Sequence, residues 1–418
     1  MTFLYQIFIH LFNFSIHVAS LFSKKANLWV RGRKNIFKNI ANCKLLIADC
    51  KVVWFHCSSL GEFEQARPLV ERLKMKNEKL KIIITFFSPS GYEIRKNYDK
   101  ADFIFYLPMD TKNNVKRFLD IINPSIGFFV KYDFWYNYLN ELYKRKTPAY
   151  LVSANFREEQ FRGFYGKYLE KVLSFFDHIF VQNEFSQRLL VRRKITNVTV
   201  SGDLRYDMVF ETASMPKKNS MVEHFKGIGK IIIAGSTWNQ DEEIIANCKL
   251  QTANCKLIIA PHEINEEHIK KIISFFPDRS LRYSEISKEP VSSAMGKLQE
   301  AQVLIIDNIG MLSYLYQYAD IAYIGGGFRS GIHNILEAAV FGVPVIFGPH
   351  HQKFPEANEL IEHGGGFSVN DANGFKKAMD LLLSDEKILM MASMICKNFV
   401  SQRKGATEKV VSQVKIGI

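Results

Sequence analysis

Short apolar runs that end in a small-residue turn and lead into an amphipathic stretch recur along this chain, and that alternation leaves few folds open. Residues 52–57 (VVWFHC) enter Ser58-Ser59-Leu60-Gly61-Glu62 and then helical periodicity from Glu64 to Met75. Residues 80–87 (LKIIITFF) enter Ser88-Pro89-Ser90-Gly91, with a helix from near Tyr92. Further strand candidates lie at 103–107, 126–130, 149–153, 178–182 and 197–201. The pattern restarts at 230–234, 256–260, 303–306, 320–324 and 343–347, and a last helical stretch covers about 373–404. Continuous apolar runs predict strands buried on both faces, hence a parallel sheet covered by helices on either side. Periodicity lapses around Met208 to Lys218. The expected division is an N-terminal helix over 1–25, a first α/β domain over 26–208, a linker over 209–218 and a second α/β domain over 219–418. The last helix is free to pack back on the first domain. A ligand cleft between the domains follows from strand ends that face it.

Fifty-five Lys and Arg against 42 Asp and Glu give a net charge of +13. Such a surplus attracts nucleic acid, an anionic membrane face or phosphorylated substrates. A Lys-, Asn-, Ile- and Phe-rich vocabulary produces the same surplus without any ligand, so charge alone leaves both readings open. No basic–aromatic interleaving marks a single-strand groove, and nucleic acid is not an expected partner. With 47% hydrophobic residues, a disordered chain is excluded. The six cysteines contain no C-x-x-C pair, which argues against a thiolate zinc site or a disulfide scaffold. The pentapeptide Ala-Asn-Cys-Lys-Leu recurs at 41–45, 246–250 and 253–257 and reads as tolerated insertion, without a catalytic role.

Phe3 to Phe22 holds no Asp, Glu, Lys or Arg, and Lys24, Lys25, Arg31, Arg33 and Lys34 follow. A secretory signal places its positive charge first and a cleavage site after, and neither is present. About 20 residues rising ~1.5 Å each suffice to cross a bilayer. His10, Asn13, Ser15 and His17 put polar groups at mid-depth, so a helix lying in the cytoplasmic leaflet is an equal reading. Membrane association is expected, with an ordinary buried helix as the alternative.

Three constellations carry chemistry. In the first, Glu62 stands beside the Gly61 turn and could take a proton from a hydroxyl, while a carboxylate in a first helical turn also serves simply as a favourable charge. In the second, Gly325, Gly326 and Gly327 offer backbone amides to an anion before a helix start near Asn334, and Glu337 lies one turn from His333. The third joins Ser236 and Thr237 with Pro261 and His262, again at strand ends. His350 and His351 lack acidic partners at ligand spacing, so no metal is expected.

In order and spacing these stretches resemble the 3-deoxy-D-manno-octulosonic acid (Kdo) transferases of Gram-negative lipopolysaccharide synthesis. The likeness runs through Trp54 to Phe63, Tyr106 to Asp110, Val181 to Glu184, Ser201 to Asp207, Ala234 to Thr237, Gly325 to Ala339 and Gly348 to His350. It implies a GT-B glycosyltransferase architecture, two Rossmann-like parallel-sheet domains facing a central cleft, attached to the inner membrane at its cytoplasmic face through the N-terminus. It implies transfer of Kdo from CMP-Kdo to a lipid A precursor with no cofactor. The resemblance carries the general base onto Glu62, with support from Asp133, Lys131 and Arg205. It assigns the donor to Ser236, Thr237, Pro261, His262, Gly325, Gly326, Gly327, His333, Asn334 and Glu337. The acceptor side is expected at Ser58, Ser59, Gly61, Ser88 and Ser90. Two departures stand out: Lys131 replaces an acidic residue of the family, and Pro261-His262 lacks the Arg of a Pro-Arg-His motif. Two other readings remain open, a GT-B transferase or epimerase using a UDP-sugar and a non-catalytic basic α/β protein.

Overall fold

The computed structural model describes residues 2–215, 217–248 and 255–414. The chain divides into two compact units: residues up to Met208 together with those from Lys404, and Val209–Arg403. Each contains one seven-stranded, all-parallel sheet.

In the first unit the strands are β1 (Val52–Cys57), β2 (Lys81–Phe86), β3 (Phe103–Tyr106), β4 (Ile126–Val130), β5 (Ala149–Ala154), β6 (His178–Val181) and β7 (Val198–Val200). Their order is β3-β2-β1-β4-β5-β6-β7. Every residue of β1, β4 and β5 is buried, as helices on both faces require. One core gathers Trp54, Phe118, Phe129 and Tyr138, and the other gathers Phe55, Phe63, Phe86 and Phe128. The helix Ala406–Gln413 closes the second core with Val410 and Val411.

In the second unit the strands are β8 (Lys230–Thr237), β9 (Cys255–Pro261), β10 (Ser280–Arg282), β11 (Val303–Ile305), β12 (Ile321–Ile324), β13 (Val345–Phe347) and β14 (Gly366–Ser368). They run β10-β11-β9-β8-β12-β13-β14. The three-residue edge strands β10 and β14 lie outside the strands expected from sequence. The final helical stretch is two helices, Ala372–Ser384 and Glu386–Ser401. Asp385 interrupts it in an extended conformation and caps the second helix through Lys387 N–H at 2.9 Å. The helix Leu204–Ser214 runs through the segment read as the start of a linker. The first Ala-Asn-Cys-Lys-Leu copy is described, with Cys43 buried, while the other two lie partly outside the described residues.

The N-terminal apolar segment forms α1 (Thr2–Ala19), and α2 (Lys24–Arg33) follows at a bend of 120°. Tyr5, Ile9, Phe12 and Ile16 pack α1 against Trp29, Met109 and Phe87. Phe3, Leu4, Ile7, Phe8, Leu11, Phe14 and Val18 form an exposed ridge on the other side, at the i, i+4, i+7 spacing of one face. Among the described residues no single helix is long and apolar enough to cross a membrane, and the bent pair passes by length and composition only.

Candidate active site

Two loop clusters stand at the topological switch points of their sheets, the places where strand order reverses and parallel sheets open a crevice at their carboxyl ends. In the first sheet that point lies between β1 and β4, and in the second between β8 and β12.

Ser58 ties three loops together at the first switch point. Its backbone N–H donates to Asp133 Oδ2 at 3.1 Å and its hydroxyl donates to Asp133 Oδ1. Its carbonyl accepts the Ser88 N–H at 2.8 Å. The turns after β1, β2 and β4 are therefore joined through one residue. Ser88 in turn caps the helix Pro89–Arg95, accepting from Ser90 N–H at 3.3 Å.

Glu62 is the third residue of the helix Leu60–Lys76, and its Oε2 accepts from Ser59 N–H at 2.9 Å and from the Ser59 hydroxyl at 3.3 Å. This is a capping box, so the helix-start role foreseen for this carboxylate is real. The side chain is half-buried. Burial pushes its carboxyl above the ordinary glutamate value, while the Ser59 bonds and the Lys131 ammonium pull it back. Gly61 departs from expectation. It lies inside the helix, and a Cβ there would meet nothing within 4 Å, so no sharp turn requires glycine. Lys131 takes a left-handed backbone (φ +57°) directly after β4, a costly conformation for a residue with a side chain. Arg205 turns its guanidinium onto Asp203, with Nε and Nη2 each 2.8 Å from Oδ2.

At the second switch point, β8 bulges at Ser236, whose φ of +55° shifts the register between Gly235 and Thr237. The Thr237 hydroxyl is buried and donates to Glu242 at 2.8 Å. The hydroxyl assigned to the donor side is therefore turned inward onto Glu242. The glycine triplet also differs from its forecast. All three glycines are buried, Gly325 N–H donates to Gly235 O at 2.9 Å and Gly326 N–H to Asp241 at 3.0 Å. Close backbone packing explains them. A Cβ at Gly325 would lie 2.2 Å from Ser236 O, and one at Gly327 would lie 2.6 Å from Gly348 N. Gly325→Ala is expected to destabilise the second unit by about 1–3 kcal/mol, read as a lower melting temperature.

The helix foreseen near Asn334 begins at Leu336 and is four residues long. Asn334 donates to Glu337 at 3.1 Å and caps Leu336 N–H at 3.3 Å. His333 and His262 join a stack that sequence reading did not assemble. Arg329 lies 4.1 Å over Trp238, Trp238 lies 4.6 Å from His262, and His262 lies 4.4 Å from His333. Trp238 Nε1 donates to His333 Nε2 at 3.3 Å, which fixes that histidine as an acceptor. Burial and the neighbouring His262 hold His333 down to about 4. These side chains, with Ser330 and Gly331, line a pocket of about 530 Å³, beside which Pro261 is buried at the end of β9. An Arg two residues after the glycine triplet and a Trp after Ser-Thr were the signals available for Arg329 and Trp238.

Residues 31–208 match the family model for 3-deoxy-D-manno-octulosonic-acid transferase. A bifunctional glycosyltransferase/methyltransferase from Fusobacterium nucleatum is 28% identical over 364 residues, 82% of this chain, which spans only 55% of that relative. The 3-deoxy-D-manno-octulosonic acid transferase of Haemophilus influenzae is 26% identical, covering 87% of this chain and 86% of its own length. Its counterpart in Aquifex aeolicus is 28% identical, covering 82% and 89%. In fold, the chain is similar to UDP-GlcNAc 2-epimerase from Neisseria meningitidis (TM-score 0.61, 16% identity, 87% of this chain and 98% of that one). It is also similar to a glycosyltransferase from Rickettsia africae (TM-score 0.58, 13% identity, 87% and 97%). Two Rossmann-like units of the GT-B kind carry the motifs first read from sequence, and the chain is similar to the 3-deoxy-D-manno-octulosonic acid transferases.

Proposed function

We propose that this protein is an inverting glycosyltransferase that moves Kdo from CMP-Kdo to a primary hydroxyl of a lipid A precursor. The observation that carries the reading is Glu62, a half-buried carboxylate with a raised pKa at the switch point of the first sheet. Its carboxylate takes the proton of the attacking hydroxyl as the oxygen bonds to the anomeric carbon of Kdo. CMP leaves with the bonding electron pair, and a single displacement inverts the anomeric centre. Ser58, Ser59, Ser88 and Ser90 border the acceptor. The Lys131 ammonium favours the ionised form of Glu62, and Asp133 supports the turn that carries it. On the donor side, Ser236, His262, His333 and Arg329 meet the nucleotide and its phosphate charge, with Arg329 supplying a cation to that pocket. Gly325 to Gly327, Asn334 and Glu337 shape that site from behind. No cofactor enters this scheme.

We also propose that α1 lies in the cytoplasmic surface of the inner membrane. Its exposed ridge supplies the apolar face, and a neighbouring pocket of about 710 Å³ is lined by Arg31, Arg33, Lys34, Lys38 and Arg117 with no acidic residue. Replacing Phe8 and Leu11 together by Asp removes two side chains worth about 1.5–3 kcal/mol each on burial. Binding to anionic vesicles in a flotation assay is expected to fall by more than about tenfold.

The deciding experiment is a transfer assay with CMP-Kdo generated in situ and a tetraacylated lipid A precursor. Product supports the reading. Absence of product from folded protein, together with thermal stabilisation by UDP and none by CMP, would turn the assignment to a UDP-sugar enzyme.

A further inference from the structure

Glu242 is a carboxylate with no exposed surface, and nothing in the proposed transfer uses it. It lies in the first turn of the helix Asn239–Asn247, and each of its oxygens has a partner. Oε1 accepts the Thr237 hydroxyl at 2.8 Å, and Oε2 stands 2.8 Å from His268 Nε2. His268 belongs to the next helix, Glu266–Phe275, and its side chain is 9% exposed. Its other ring nitrogen, Nδ1, lies 2.9 Å from the carbonyl of Glu263. A carbonyl can only accept, so Nδ1 carries a hydrogen. Two lone pairs facing each other at 2.8 Å would repel, so a second hydrogen lies between Nε2 and Oε2.

This relay begins and ends in the turn after β9. Glu263 accepts from Nδ1, and the His262 N–H donates to the Thr237 carbonyl at 2.9 Å. Thr237 is the last residue of β8, beyond the Ser236 bulge, and Trp238 follows it directly. The relay therefore sets the spacing of the two strand ends that carry Trp238 and His262. Those rings stack at 4.6 Å and wall the pocket of about 530 Å³. His262 is exposed, so burial does not hold its ring in place. Burial pushes the Glu242 carboxyl above the ordinary glutamate value, and the bonds from His268 and Thr237 pull it back.

We propose that Glu242 and His268 are positioning residues for the donor pocket, their hydrogen bond tying the ends of β8 and β9 together and so fixing the Trp238–His262 stack that holds the nucleotide. Neither side chain lines that pocket, so each acts through Thr237 and the turn after β9. The link to the nucleotide rests on the donor site proposed above, whereas the link to the stack does not.

NMR of histidine-labelled protein tests the stack directly. The His262 ring signal, assigned by its loss in His262→Gln, is expected to carry a ring-current shift from Trp238. Glu242→Leu and His268→Phe replace each side chain by one of similar size without the bond. Both are expected to move the signal toward its position in Trp238→Leu. Glu242→Gln is expected to leave it in place, because an amide accepts from Thr237 and donates to Nε2. Thr237→Val, which removes only a hydroxyl, gives the same reading if the larger changes unfold the unit. Calorimetry with CMP is expected to show binding weakened at least about tenfold in Glu242→Leu and His268→Phe, and less than about threefold in Glu242→Gln.

A His262 signal that stays put in the folded variants overturns the proposal, even where they melt at lower temperature, since the pair would then only stabilise its helices. A moved signal with unchanged CMP affinity overturns the positioning role. Glu242→Gln as impaired as Glu242→Leu would show that the charge and not the bond is required, and would overturn it as well. If the wild type binds no CMP, the donor assignment fails while the His262 signal still decides the relay.

Discussion

Glu62→Gln is expected to fold like the wild type and to lose transfer by about 10²–10⁴-fold, the range of a positioned general base. The fold should survive because the glutamine carbonyl can still accept the Ser59 N–H, and a capping box tolerates either side chain. Glu62→Ala, by contrast, loses that acceptor as well and is expected to cost about 1 kcal/mol of stability in addition to activity. Comparing melting temperature with kcat for the two variants separates the helix-capping role from the chemical one. The pH profile adds a second check. Burial raises the Glu62 pKa, so kcat/KM is expected to fall with acid at a pH above the ordinary glutamate value. That limb should disappear from the residual activity of Glu62→Gln. A mutant that keeps more than about a tenth of wild-type kcat would move the base elsewhere.

Asp110→Ala is expected to be the most damaging single change to the first unit. The helix Tyr136–Arg145 has no capping side chain at its own N-cap, Trp135. Asp110 supplies the cap from a distance, accepting Asn137 N–H through one oxygen and Tyr138 N–H through the other, each at 3.1 Å. It also accepts the hydroxyl of Tyr5 on α1. Removing the carboxylate strands two buried backbone donors and the half-buried Tyr5 hydroxyl, at about 1–3 kcal/mol for each group left unsatisfied. A total loss of about 3–5 kcal/mol is expected in chemical denaturation, with α1 released from its seat. The sign of the pH effect also follows. Burial lifts Asp110 from 3.8 to about 6. Between those values the folded protein keeps a proton that the unfolded chain has lost, so stability falls as pH rises through that window. Asp110→Asn should flatten this slope. An unchanged slope would show that Asp110 does not titrate there.

Most of the sheet was legible because parallel strands covered on both faces read as unbroken apolar runs, and β1, β2, β4, β5, β8 and β12 all have that character. The edge strands β10 (SLR) and β14 (GFS) were not, since a three-residue edge needs no apolar run to pair. Glycines were legible as turns but not as to purpose. Whether a glycine amide faces a ligand or a neighbouring backbone depends on residues such as Ser236 and Gly348, which lie far away in sequence. Glu242 was hidden for a related reason. Its meaning comes from the packing that sets it between Thr237 on one side and His268 on the other. The stack of Arg329, Trp238, His262 and His333 likewise exists only once three strand ends are brought side by side.

The first unit is discontinuous in sequence, and this has a bearing on how the protein is made. Asp207 accepts the backbone N–H groups of Gly405 and Thr407, and Ala406, Val410, Val411 and Val414 complete a core whose other walls are β1, β2 and β4. A nascent chain emerging from the ribosome therefore builds seven strands and then waits through nearly two hundred further residues for the piece that seals them. Throughout that interval the half-finished unit exposes an apolar seam. Its maturation is tied to the synthesis of the segment from Lys404 onward rather than to the completion of its own sheet. A ribosome stalled before Lys404 would hold a chain with every strand of the first sheet and an open core, a species that chaperones and proteases can recognise.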